Sequence, residues 1–199
     1  MKNLFLALLL ATSLGAQAHM TSDVSLASGL TALTMKTAGN TVTLTSMASI
    51  YFTFNLNHPA SKMALTLEFM EAPNSSQGPL AWTRLGAGAK YYLTGFNAQR
   101  VVFDNHVEGM YWRPAPYIGG SLGLSTFSIS NVGGLDGYFN AAVVDAIARA
   151  GAEVVLSSSL FLIGELNVFK SLLAQGSRTS FDLSYAGLGV YVGLKIVSF

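Results

Sequence analysis

The sequence predicts an all-β fold: an antiparallel, up-and-down β-barrel of eight strands that spans a membrane, or of ten if one ambiguous segment adds a hairpin. Three observations carry this reading. First, the final segment alternates. Leu188, Val190, Val192, Leu194 and Ile196 share one face, and Gly187, Gly189, Tyr191, Gly193 and Lys195 share the other, because successive side chains of a strand point to opposite sides. A greasy face toward lipid and a small or polar face toward a lumen is the pattern of a membrane barrel strand. Second, mean hydropathy is +0.44 and charged residues make up 11% of the chain, against roughly 25% in ordinary soluble domains. Third, no apolar run has the ~18 residues of a spanning helix. A closed barrel is the other backbone arrangement that leaves no polar group unpaired in hydrocarbon.

Residues 1–18 read as a secretory signal peptide. Lys2 is the positive start, Leu4 to Leu10 the apolar stretch, and Ala16-Gln17-Ala18 a small-x-small cleavage site. The apolar run breaks at Thr12 and Ser13, too early for a membrane anchor. Residues 19–199 then form one barrel domain. Shared among eight strands, they leave roughly 23 residues per strand and connection, the scale of a small barrel.

The first strand, Ser25 to Met35, is Thr-rich and weakly patterned, and ends at the turn Thr37 to Asn40. From Val42 to Leu56 the alternation sharpens: Ala48, Ile50, Phe52, Phe54 and Leu56 oppose Met47, Ser49, Tyr51, Thr53 and Asn55. Pro59 in the turn Asn57 to Ser61 withholds a ladder donor. Met63, Leu65, Leu67 and Phe69 then oppose Ala64, Thr66, Glu68 and Met70. Beyond the polar loop Pro73 to Pro79, Leu85, Ala87, Ala89, Tyr91 and Leu93 oppose Arg84, Gly86, Gly88, Lys90 and Tyr92. Ile118, Gly120, Leu122 and Leu124 oppose Tyr117, Gly119, Ser121, Gly123 and Ser125. Asn131 to Gly137 is a loop, strands follow over Asn140–Leu156 and Leu160–Phe169, and Leu172 to Thr179 is a loop before the last strand. Tyr51, Phe52, Phe54, Tyr91, Tyr92, Tyr111 and Trp112 are placed to form an aromatic girdle at the membrane interfaces.

Two segments fit less well. Asn140 to Leu156 also carries helical spacing, with Asp145, Arg149 and Glu153 at i, i+4; the same three share a strand face, and strand neighbours favour strand. Phe96 to Arg113 is too long for a simple turn. Val101 to Phe103 and Val107 to Trp112 could pair as the extra hairpin.

The chain has no cysteine, which removes disulfides, thiolate metal sites and attachment of lipid through a cysteine. Eleven basic residues face ten acidic ones, and loss of Lys2 with the signal leaves the domain formally neutral. Nothing resembles a nucleic-acid-binding surface, and no nucleic-acid partner is expected.

The charges of lumen parity are the main candidate functional set: Glu68, Arg84, Lys90, Asp145, Arg149, Glu153, Glu165 and Lys195. An eight-stranded barrel has room for side chains but not for a wide channel, so these eight are expected to pair and fill the interior; the functional alternative is a narrow, gated ion path. His106 between Asp104 and Glu108 is a candidate general base with a carboxylate orienter, yet no serine nucleophile is tied to it and no catalytic residue is assigned. His58 sits in a turn. His19 as a mature N-terminus could chelate copper only with a second histidine that is not evident, so no metal is expected. Asn131-Val132-Gly133-Gly134 lacks the Lys-Ser/Thr of a phosphate loop, and no cofactor is expected.

Leu85-Gly86-Ala87-Gly88-Ala89-Lys90-Tyr91-Tyr92-Leu93 and Pro116-Tyr117-Ile118-Gly119-Gly120-Ser121-Leu122-Gly123 resemble strands of small Gram-negative outer-membrane barrels, the OmpA transmembrane domain and the OmpW and Opa-like groups. The resemblance implies an outer-membrane location reached by export and contact with outer-membrane lipid and lipopolysaccharide. It also implies a C-terminal aromatic residue read by the barrel-assembly machinery, here Phe199. In those families the lipid-facing residues are in step with that aromatic; here they have the other parity, so either a bulge near Val197 shifts the register or the assembly signal is non-ideal.

The expected role is structural or surface-interacting, with external loops Ala72 to Leu80, Asn131 to Tyr138 and Leu172 to Ser180 as contact surfaces for an extracellular partner. Passage of a small or apolar solute, which the OmpW-like resemblance implies, is the alternative. A lipid-modifying enzyme is a third reading. The rival fold is a soluble lipocalin-like barrel with its apolar face inward.

Overall fold

The computed structural model describes residues 21–37, 40–57, 61–73, 80–94, 100–103, 106–110, 114–132, 135–157, 159–176 and 183–198. Ten strands follow in order: β1 (Thr21–Thr37), β2 (Asn40–Asn57), β3 (Met63–Ala72), β4 (Leu80–Tyr92), β5 (Arg100–Phe103), β6 (His106–Met110), β7 (Ala115–Val132), β8 (Leu135–Val155), β9 (Leu160–Gly176) and β10 (Ser184–Ser198). Eight of them close an antiparallel barrel in the order β1-β10-β9-β8-β7-β4-β3-β2. The expected extra hairpin forms, but β5 and β6 pair only with each other in a separate two-stranded sheet. The ambiguous segment therefore adds a hairpin without adding to the barrel. The segment with helical spacing is strand β8, because both its edges find partners along β7 and β9.

The barrel closes through β1 and β10, from Ser22 opposite Ser198 to Lys36 opposite Ser184, with no break in register. There is thus no bulge near Val197; that residue is buried in a small cluster with Val155 and Phe161. Phe199 lies outside the described residues.

The alternation read from the sequence matches the exposure seen. Leu65, Leu122 and Ile196 are 60%, 61% and 60% exposed on the outer face. From Leu188 to Ile196 the band covers about 27 Å of strand at ~3.4 Å per residue. A tilt of about 40° brings this to roughly 20 Å of membrane depth, close to the ~25 Å apolar belt of such barrels. The aromatic girdle needs correcting. Neighbours on a strand face opposite ways, so Tyr91 is exposed outside while Tyr92 is buried inside, and Tyr51 also points into the lumen. Phe54, on the outer face, is itself buried. Tyr111 and Trp112 lie outside the described residues.

Strands run longer than expected at the end away from the termini. Most of the loop anticipated over Asn131 to Gly137 is strand, since β7 runs through Val132 and β8 begins at Leu135, and β9 continues through Gly176. A register shift opposite Val144 and Asp145 places Leu172 as the extra residue on β9, and Leu172 and Leu173 both emerge exposed. Ladder pairing with β8, which the linear pattern does not reveal, keeps this stretch extended.

The polarity of the wall inverts along its length. In the apolar belt the outside is greasy and the inside polar. At the far end Lys36, Thr41, Thr43, Glu71, Thr126, Lys170 and Ser184 face outward and are exposed, with Leu172 and Leu173 at the β9 register shift as apolar exceptions. There the inside holds Leu33, Met35, Leu44, Met47, Trp82, Phe127, Val143 and Phe169 in one buried cluster. Where water replaces lipid around the wall, the barrel returns to the rule of soluble domains and buries its apolar side.

Candidate functional site in the barrel lumen

All eight charged residues of lumen parity are buried in the barrel, together with Asp23. They arrange in tiers. Each lies on an inward position; Glu68 and Arg84, and Asp23 and Lys195, are diagonal neighbours on adjacent strands, and the other pairs reach across the lumen. A charge in this space has no bulk water to solvate it and must find partners.

The central tier is built on Glu68. Its carboxylate accepts from Arg84 on one oxygen and from Arg149 on the other. Ser121 also donates to it, and Tyr51 does so at 3.1 Å. The arginines converge further: Arg149 donates to the Tyr51 hydroxyl at 2.6 Å and to Ser121 at 2.9 Å, and Arg84 to Ser121 at 3.2 Å. Arg84 also donates its Nε to Asp145 at 2.6 Å. Asp145 in turn accepts from Ser125 at 2.5 Å and from Tyr185, and the Trp82 indole donates to Ser125 at 2.9 Å. This polar chain ends under the apolar far-end cluster, where Trp82 meets Phe169 edge-on at 5.3 Å.

Space for the arginine comes from two glycines that pair across β4 and β7, Gly86 and Gly123. A Cβ on Gly86 would stand 2.6 Å from Arg84 Nη1, and one on Gly123 2.6 Å from Arg84 Cζ. The glycines of the small face are therefore the socket of the Arg84 guanidinium.

Nearer the termini, Lys90 lies 3.6 Å from Glu165, which accepts from the Tyr117 hydroxyl at 2.6 Å. In the last tier Lys195 joins Glu153 and lies 3.6 Å from Asp23. Tyr92 donates to Glu153 at 2.8 Å, and Asn55 and Asn57 donate to Asp23 at 2.5 Å and 2.6 Å. Asp145, Arg149 and Glu153 share a strand face, as their spacing predicts, yet each bonds across the lumen rather than to the others.

The sequence pattern does not single out Asp23, because the alternation becomes readable only from Ser25. Extending the same alternation by one step would have placed it inward. The pattern also assigns Tyr51 and Tyr92 to the girdle although both share the small, lumen-facing side of their strands, and it gives Tyr117, Tyr185 and Tyr191 no part in the charge network. The side chains of His106 and Glu108, and all of His19 and His58, lie outside the described residues. Among the described residues no cluster of three or more His, Asp or Glu side chains could hold a metal ion.

A closed eight-stranded antiparallel barrel with an apolar outer belt and a polar, side-chain-filled lumen defines the class: the fold is that of small Gram-negative outer-membrane β-barrel proteins. Among solved structures, the chain is similar to the Neisserial surface protein A, NspA, with a TM-score of 0.59 at 11% identity, covering 88% of this chain and 96% of that one. It is also similar to the outer membrane protein OprG from Pseudomonas aeruginosa, with a TM-score of 0.51 at 13% identity, covering 90% and 95%. No protein-family model and no curated protein matches the chain.

Proposed function

We propose that the protein is an integral outer-membrane barrel with a structural or surface-interaction role, exported by the signal peptide at residues 1–18. The observation that carries the reading is the filled lumen. Three charge tiers and an apolar far-end cluster occupy the interior with buried side chains, an arrangement suited to a rigid plug. The far end, opposite the termini, faces outward from the cell in this reading. Its β1–β2 and β7–β8 hairpins present Thr41, Thr43 and Thr126 to solvent and offer the contact surface for an extracellular partner.

The outward-facing Lys36 and Lys170 lie beside Ser184 and Ala186 of β10, just above the apolar belt. They suit the anionic headgroups of lipopolysaccharide. Phe199 is the residue offered to the barrel-assembly machinery. The alternative, passage of a small or apolar solute, draws support from the apolar lining of the far-end lumen.

Planar-bilayer recording of the refolded barrel separates the two. The structural reading expects a silent bilayer. Reproducible unitary currents, or uptake of an apolar probe into proteoliposomes, would replace it with the transport reading.

A further inference from the structure

Among the described residues, four buried polar atoms in the middle of the lumen have no partner: Arg149 Nε, Asn167 Nδ2, Asn167 Oδ1 and Glu165 Oε1. They belong to one patch of wall. Arg149 on β8 stands opposite Asn167 on β9, and Glu165 lies two residues along the same inward face. Asn167 is fully buried, and Arg149 and Glu165 are each 4% exposed. Buried polar groups in folded proteins are almost always satisfied, so four orphans on three adjacent residues require an occupant.

The occupant's chemistry follows from the set. Two of the atoms donate and two accept, and exchanging the amide nitrogen and oxygen of Asn167 changes nothing, since both are orphaned. A bare cation would want oxygen acceptors alone, and an anion would want donors alone. The charges of the surrounding tiers cancel, with Glu68, Asp145 and Glu165 against Arg84, Lys90 and Arg149. The site calls for a small neutral molecule that both donates and accepts.

We propose that the Arg149–Asn167–Glu165 wall binds internal water, as a hydrated node between the Glu68 tier and the Lys90–Glu165 pair. Buried water characteristically makes about three hydrogen bonds to otherwise unsatisfied groups. The node depends on the fold alone and is independent of the functional reading above.

The first test is through-space magnetisation transfer from water to the Arg149 Nε proton and the Asn167 side-chain amide, in perdeuterated barrel refolded in micelles. Cross-peaks of bound water are expected at both; their absence, with cross-peaks present at other buried lumenal hydroxyls, overturns the node. The second is Asn167→Leu, read by the midpoint temperature of the heat-induced gel shift. If water links the three residues, the substitution strands Arg149 and Glu165 and the midpoint falls by several degrees. A dry, orphaned amide would instead be relieved by leucine, and a raised midpoint overturns the proposal. Asn167→Ala keeps the test decidable if the leucine variant fails to refold.

Discussion

Replacing Glu68 by glutamine keeps the shape of the side chain and removes the one negative charge that two guanidiniums share. Arg84 and Arg149 both bond the Ser121 hydroxyl, at 3.2 Å and 2.9 Å, so their terminal nitrogens are no more than about 6 Å apart. At an effective dielectric near 20 that uncovers roughly 3 kcal/mol of repulsion. Asp145 still pairs with Arg84, whereas among the described residues Arg149 has no ion pair besides Glu68 and is left with the Tyr51 and Ser121 hydroxyls. Breaking a buried ion pair by removing one partner costs about 3–5 kcal/mol, and E68Q is expected in that range. The double variant Glu68→Met with Arg149→Met removes both members, leaves Arg84–Asp145 balanced, and should recover most of the loss. The assay is urea unfolding of the barrel in lipid vesicles, followed by tryptophan fluorescence, arranged as a double-mutant cycle. A loss below about 1 kcal/mol for E68Q, the scale of an exposed pair, would refute the reasoning. So would a double variant as unstable as the sum of its singles.

Gly123→Val should displace the Arg84 guanidinium and destabilise the barrel, but should add little in an Arg84→Met background; full additivity would show that the glycine is not the socket. On the lipid belt Leu122→Arg should cost about 2–4 kcal/mol, while Thr126→Arg, four residues toward the far end, should cost about 0–1 kcal/mol; equal costs would place the belt boundary elsewhere. The polarity inversion predicts that Leu44→Asp prevents refolding whereas the adjacent Thr43→Asp is tolerated, checked by the heat-induced gel shift; a reversed result would mean that the far end sits in lipid. A cysteine-borne label at Val190 should be quenched by brominated lipid and one at Tyr191 should not; the opposite pattern would turn the wall inside out.

The membrane belt was legible because it depends on a local property. Period-two alternation with one greasy face is written in each strand by itself, as in Leu188 to Ile196 or Leu85 to Leu93, and it assigns inward and outward without any partner. The same parity placed eight lumen charges inward. It could not say which of them meet, since Glu68 is joined to Arg149 across 81 positions of sequence by a register that only barrel closure sets. The continuation of β9 past Phe169 reads as a loop because the alternation lapses there: Leu172 and Leu173 are both exposed at a register shift opposite Val144 and Asp145, and pairing with β8 keeps the chain extended.

Residue alternation by itself determined the strands, the membrane-facing side and the polar nature of the interior, because a strand exposes its two faces whatever lies next to it. The closed tertiary structure alone decided that the charges form tiers around Glu68, that Gly86 and Gly123 shape a socket, and that the wall reverses its polarity above the belt. Each of these depends on which residues stand opposite one another around the ring, and that follows from the shear and closure of the whole sheet.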